Sequence, residues 1–166
     1  MIILGLDPGT ATTGYGFIKV EKNSFSVINY GLIETNKDQN SGKRLVEIYK
    51  KLSFIIKNYN PDIISIEKIF FATNAKTAIA VGQAIGIMIY CAEKHKLNIF
   101  EYAPGTIKKQ ISGSGKSDKK MMQTAVRKIL GPKIKKKKGN KTHFDNSADA
   151  LAIALCHAVV SGHIKI

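Results

Sequence analysis

Four carboxylates are spaced as if to meet. Asp7 closes an aliphatic run, Ile2 to Leu6, and Glu67 closes a second, Ile63 to Ile66. Asp145 and Asp149 stand four apart in a segment of helical periodicity, which sets them on one helix face. Such aliphatic runs read as buried strands, and a charge at a strand end costs desolvation unless a cation or donor meets it. For Asp7 alone, an Asx-turn onto the Gly9 region would meet that need. Acids gathered at one sheet edge lack that way out, because two like charges ~4 Å apart repel by roughly 4 kcal/mol at an effective dielectric near 20. The cluster is stable when protonated or when it holds cations. Hard oxygen donors, with neither Cys nor His required, suit Mg²⁺ or Mn²⁺. Two such ions can activate water, clamp a phosphate and stabilise a leaving 3′ oxygen, so the chemistry indicated is phosphodiester cleavage.

The elements that must deliver these acids are legible as patterns. After Asp7, Pro8 and Gly9 break the first strand, and Gly14 to Val20 resume a strand pattern, giving a hairpin. Ser24–Thr35 reads as a third strand. Lys43–Tyr59 is helical, with Leu45, Ile48, Tyr49, Leu52, Ile55 and Ile56 on its apolar face, and Pro61 ends it. The strand IISIE follows, then a long helix over Asn74–His95. Gly82 and Gly86 share a face of that helix, and each costs about 1 kcal/mol against Ala. Close approach of another helix would offset this. Asn98–Tyr102 is a fifth strand, Pro104 opens a short helix to Ile111, and SGSGKS (112–117) reads as a flexible loop. A helix capped by Ser117 or Asp118 runs to Leu130. Gly131–Thr142 reads as a solvated, mobile lysine loop, and a last helix runs from about Asp145 to Val160. This order predicts one α/β domain over residues 1–166, with a five-stranded mixed sheet flanked by helices. If strands one and four are neighbours, Asp7 and Glu67 lie side by side and the last helix can bring Asp149 to them.

Composition narrows the class of partner. The 166 residues are 44% hydrophobic, enough for one sizeable core and too many for general disorder. No apolar stretch is expected to reach the ~18 residues a bilayer span needs, and the N-terminal run is too short for a signal peptide. Cys91 and Cys156 sit in apolar helical patterns, as reduced core residues of a cytoplasmic protein. The formal net charge is +14, and 13 of the 26 basic residues fall between Lys108 and Lys141, where the only acid is Asp118. Charge so concentrated points to a polyanion, with nucleic acid the default.

Taken in order and at their distances, DPG with GYG (7–16), IE followed by Phe70 and Asn74, FEYAPGTIKKQISGSGKSDKKMMQ (100–123) and ADALAIALCHA (148–158) carry a specific likeness. The chain resembles the RuvC family of Holliday-junction resolvases, endonucleases of the ribonuclease-H-like fold, over nearly its whole length. The resemblance implies that Asp7, Glu67 and Asp149 are three of four metal ligands, with two Mg²⁺ or Mn²⁺ ions per site. The fourth ligand, three residues before the last Asp, falls on Asn146, an uncharged and weak ligand. Asp145 is the neighbouring candidate. Lys108 and Lys119 correspond to lysines that polarise the phosphate or bind the strands, with Lys116 and Lys120 as further DNA contacts. Phe70 corresponds to an aromatic that stacks on an unpaired junction base, and as a bare sequence feature it reads equally as a hydrophobic staple. The helix with Gly82 and Gly86 corresponds to a homodimer interface. Paired symmetric nicks in four-way junctions, and work alongside the RuvA and RuvB branch-migration proteins, are likewise implied.

Three other readings fit parts of the pattern. One is a different branched-DNA nuclease of the same fold. The second is a junction-binding form impaired in catalysis by Asn146. The third is an actin-like nucleotide-binding domain, which needs two lobes and a second phosphate loop that 166 residues do not supply.

Overall fold

The computed structural model describes residues 1–69, 75–131 and 141–166, with only the backbone for 141–146. Three strands come first, β1 (Ile2–Asp7), β2 (Thr12–Glu21) and β3 (Ser24–Glu34), followed by α1 (Ser41–Tyr59) and β4 (Ile63–Glu67). Next are α2 (Ala75–Lys94), β5 (Asn98–Tyr102), α3 (Pro104–Ser112), α4 (Lys119–Leu130) and α5 (Lys141–Val160). The sheet order is β3-β2-β1-β4-β5. β1, β2 and β3 pair antiparallel, whereas β4 joins β1 and β5 in parallel. The expected mixed sheet is therefore present, with β1 and β4 adjacent at its centre.

Side-chain alternation assigns the two faces of the sheet. Leu4, Leu6, Phe17, Ile64 and Ile66 are buried against α1 and α2. Ile3 and Ile18 are buried on the other side, against α3, α4 and α5. Gly5 and Asp7 follow Ile3 on that second face, and Ser65 and Glu67 lie on the same side of β4. α5 is the core of this layer. A Cβ at Gly5 would run into the Ala150 carbonyl oxygen and lie 2.7 Å from the Ala154 amide nitrogen. A Cβ at Gly16 would lie 2.8 Å from Leu151 Cδ2. These two glycines let the helix sit directly on β1 and β2, and only a residue without a Cβ fits there.

Several expectations shift in detail. α1 starts at Ser41, two residues early, because Asn40 caps it by accepting from the Lys43 amide. Asp118, rather than Ser117, caps α4 by accepting from the Met121 amide at 2.8 Å. Ser117 is instead buried and donates to the Ser114 carbonyl at 2.9 Å, while Ser112 donates to Ser117 Oγ at 2.7 Å. The segment SGSGKS is thus a hydroxyl-tied turn, not a loose loop. α5 starts at Lys141, four residues before Asp145, since Lys, Thr, His and Phe carry a helix onward without breaking it. Lys133 and Lys135–Lys138 lie outside the described residues. α2 is long and apolar enough, by length and composition, to cross a membrane, contrary to the expectation from sequence. In the fold it packs Ala84, Ile85, Met88, Cys91 and Ala92 into the core beside α1. Ile79, on the same helix, is 65% exposed.

Candidate active site

The geometry of the acids follows from strand register. Leu6 pairs with Ile66, so the next position on each strand sets Asp7 beside Glu67 at the carboxyl ends of β1 and β4. The buried Ser65 hydroxyl donates toward the Ile153 carbonyl at 3.2 Å, fixing α5 to β4 one turn beyond Asp149. Asp7, Glu67 and Asp149 then line one cavity of about 210 Å³. Lys108 from α3 and Lys119 from α4 close its sides, and Pro104, Ile107 and Met122 supply an apolar wall.

Proton affinities report how tightly these acids are coupled. Asp7 is pushed up from 3.8 to about 7, first by burial, then by the charges of Asp149 and Glu67, with Lys119 pulling the other way. Glu67 is also raised, by burial and then by Asp149, against the opposing pull of Lys108. Burial is the largest cause at Asp7 and the like charges of Asp149 and Glu67 add to it, whereas the amide donors of an Asx-turn would pull the other way. Each lysine is electrostatically matched to one of the two strand carboxylates.

The donor set fits a hard divalent cation. Carboxylate oxygens held near one another in a half-buried cleft are destabilised as anions, and a cation among them removes that cost. Among the described residues, no three Asp, Glu, His or Cys side chains stand close enough together to hold a metal ion as they are. The site is an open set of converging carboxylates, and Asn146 and Asp145, whose side chains lie outside the described residues, adjoin it in sequence. Phe70 also lies outside the described residues. Lys116 and Lys120 are exposed and are not part of the cavity lining. A larger hollow of about 340 Å³ between β2, β3 and α1 brings no acid together.

Some site features escaped the sequence reading. Met122 and Ile107 read as ordinary core positions of short helices, and no spacing rule marks them as a wall. Tyr102 is paired with Glu67 across β4 and β5, and its hydroxyl lies 2.7 Å from His157 Nδ1 on α5. The 55-residue separation of that pair leaves no local signal.

The sheet order, with acids ending β1 and β4 and a third on the last helix, defines an α/β protein of the ribonuclease-H-like class with an acidic cleft. The family description "Crossover junction endodeoxyribonuclease RuvC" matches residues 3–157. The chain is 45% identical over 159 residues to the crossover junction endodeoxyribonuclease RuvC of Alkaliphilus oremlandii, covering 95% of this chain and 93% of that one. It is 42% identical over 165 residues to the corresponding protein of Alkaliphilus metalliredigens, covering 99% and 96%. Among solved structures, T. thermophilus RuvC in complex with a Holliday junction substrate matches with a TM-score of 0.84 at 26% identity, covering 97% of this chain and 94% of that one. The chain belongs to the RuvC family of crossover junction endodeoxyribonucleases. Membership carries an endonuclease activity that depends on a divalent metal.

Proposed function

We propose that this protein resolves four-way DNA junctions by paired, symmetric nicks during recombination and repair, with Asp7, Glu67 and Asp149 as the metal-binding catalytic acids. The observation that carries this reading is the convergence of the three acids on one cavity, with Asp7 raised to about 7 by burial and by its neighbours. Position 146, or Asp145 beside it, completes the ligand set. Mg²⁺ suits the all-oxygen donors, Mn²⁺ substitutes, and two ions occupy the site. Such ions, held by these acids, would supply an acidified water and charge neutralisation at the leaving oxygen. The chain's own residues do the rest. Lys108 and Lys119 flank the acids and draw the scissile phosphate toward them. Met122, Ile107 and Pro104 exclude bulk water from one side, which strengthens every charge interaction inside. Asp7, with its pKa raised to about 7, would hold a cation in its ionised form.

The remaining assignments form one picture of assembly. Phe70 stacks on an unpaired base at the junction, and Lys116, Lys120 and the lysines of 133–138 contact the strands. Two copies join through α2. Gly86 there is exposed with nothing beyond its own stretch of helix backbone within 4 Å of where a Cβ would stand, and Ile79 and Tyr90 are 65% and 50% exposed. Twofold symmetry then sets two equivalent sites on two equivalent phosphates. The chain works as a single domain, in the cytoplasm, alongside RuvA and RuvB branch-migration proteins. The test is cleavage of a synthetic four-way junction with Mg²⁺, beside a linear duplex of the same sequence. Paired nicks in opposing strands of the junction alone are expected. Equal nicking of the duplex would overturn junction specificity and favour another nuclease of this fold.

A further inference from the structure

A polar side-chain contact behind the acidic cleft joins β5 and α5. Tyr102 Oη stands 2.7 Å from His157 Nδ1. His157 is 4% exposed, its ring lies 4.5 Å from that of Phe100, and Tyr102 meets it edge-on at 5.8 Å. A buried imidazole amid aliphatic side chains needs a partner, and Tyr102 provides one.

The two residues are connected to the catalytic elements in different ways. Tyr102 is the cross-strand partner of Glu67, and its carbonyl accepts from the Lys68 amide at 2.8 Å, immediately beyond Glu67. One residue later the chain enters α3 through Ala103, and α3 carries Lys108. His157 lies two helical turns beyond Asp149 on α5. We propose that Tyr102 and His157 form a positioning brace that fixes α5 against β5, holding Asp149 opposite Glu67 and both in line with Lys108. Ser65 ties the middle of α5 to β4, and close packing on Gly5 and Gly16 fixes the distance of the helix from the sheet. A second directional hydrogen bond at the far end of the helix sets the rotation and register that the carboxylates need. Burial and the nearby His163 hold the His157 pKa down, which favours the neutral ring, and in the Nε2–H tautomer Nδ1 accepts from the tyrosine hydroxyl.

The inference rests on the reading of Glu67 and Asp149 as metal ligands, so the experiment separates the two. Single-turnover cleavage of a four-way junction is measured with calorimetric Mn²⁺ titration of the DNA-free protein, for Tyr102→Phe, His157→Leu and His157→Asn. Tyr102→Phe keeps the ring and removes only the hydroxyl, so folding is retained. We expect Tyr102→Phe to bind junctions within about twofold of the parent while cleavage falls roughly tenfold, since misplacement of about 1 Å costs up to ~10²-fold. Its Mn²⁺ half-saturation should rise about fivefold, somewhat under the ~10–100-fold losses typical of residues that directly support metal ligands. His157→Asn, which keeps an acceptor near the Nδ1 position, should stay close to the parent in both measurements, whereas His157→Leu should resemble Tyr102→Phe. Parental cleavage and Mn²⁺ affinity in Tyr102→Phe, with Asp7→Asn inactive, would overturn the brace alone. Parental cleavage in Asp7→Asn would overturn the carboxylate reading beneath it.

Discussion

Replacing Asp7 by Asn should stabilise the metal-free protein at alkaline pH, against the usual expectation for an active-site change in a core strand. The folded-state pKa of Asp7 is raised from 3.8 to about 7, chiefly by burial and by Asp149. A carboxyl that holds its proton more tightly when folded adds stability below the unfolded value. That contribution shrinks as pH rises, and it is gone once pH passes the folded value. The shift of roughly 3 units, at about 1.36 kcal/mol each, sets a loss of roughly 4 kcal/mol between pH 4 and pH 7. Asn keeps the shape and a hydrogen-bonding oxygen but carries no charge, so it escapes that loss. In a chain of this length roughly 4 kcal/mol corresponds to roughly 10 °C in melting temperature. Thermal unfolding in EDTA from pH 4.5 to pH 8 is the assay. The parent should melt lower as pH rises, and Asp7→Asn should melt higher than the parent at pH 8 with a flatter profile. Glu67, raised in the same direction, leaves some slope in both. Added Mg²⁺ should raise the parent at pH 8 more than the variant. An Asp7→Asn protein that melts below the parent at pH 8, or follows the same pH profile, would refute the account of buried, mutually repelling acids.

Other expectations follow from the faces and charges described. Gly86→Leu, placed where nothing beyond its own stretch of helix backbone lies within 4 Å, should fold normally yet turn dimers into monomers by light scattering. An unchanged dimer would move the interface elsewhere. Replacing Lys135–Lys138 by Ala should lower the salt slope of junction binding by roughly 3 to 4 units, at about 0.9 for each phosphate no longer neutralised. An unaltered slope would mean that this segment does not touch DNA. Asn146→Asp should raise cleavage in Mg²⁺ while Asp145→Asn leaves it unchanged. The reverse pattern would give the ligand role to Asp145.

Much of the site was readable because its signals are local. An aliphatic run broken by an acid marks a strand end, and two such runs in a βαβ-like order fall side by side, as Asp7 and Glu67 do. What was not readable depends on contacts between distant segments. Gly5 and Gly16 look like permissive strand glycines, and only the helix lying on them shows that any larger residue would collide with Ala150 or Leu151. Ile79 fits the apolar periodicity of α2 yet faces outward, because periodicity marks an apolar stripe without saying which neighbour covers it. α5 began earlier than expected because Lys141 to Phe144 contain no Gly or Pro to break a helix, and Thr142, which can cap one, lies inside it. Ser117 and Ser112 were read as flexible from their composition, and their hydroxyls proved to be each other's partners. Tyr102 and His157 meet through the sheet and the last helix, which no window of sequence can contain.

The central claim is that Asp7, Glu67 and Asp149 act as one metal-dependent site on junction DNA. Its most direct test is single-turnover cleavage of a four-way junction in Mg²⁺ by Asp7→Asn, Glu67→Gln and Asp149→Asn, each measured beside junction affinity in EDTA. Each variant should bind the junction at least as tightly as the parent, because one negative charge facing the phosphates is gone. Each should also lose at least about 10³-fold in cleavage, the scale of removing a group that acts as part of a unit. A variant of any of the three that still cuts the junction near the parental rate would contradict the claim.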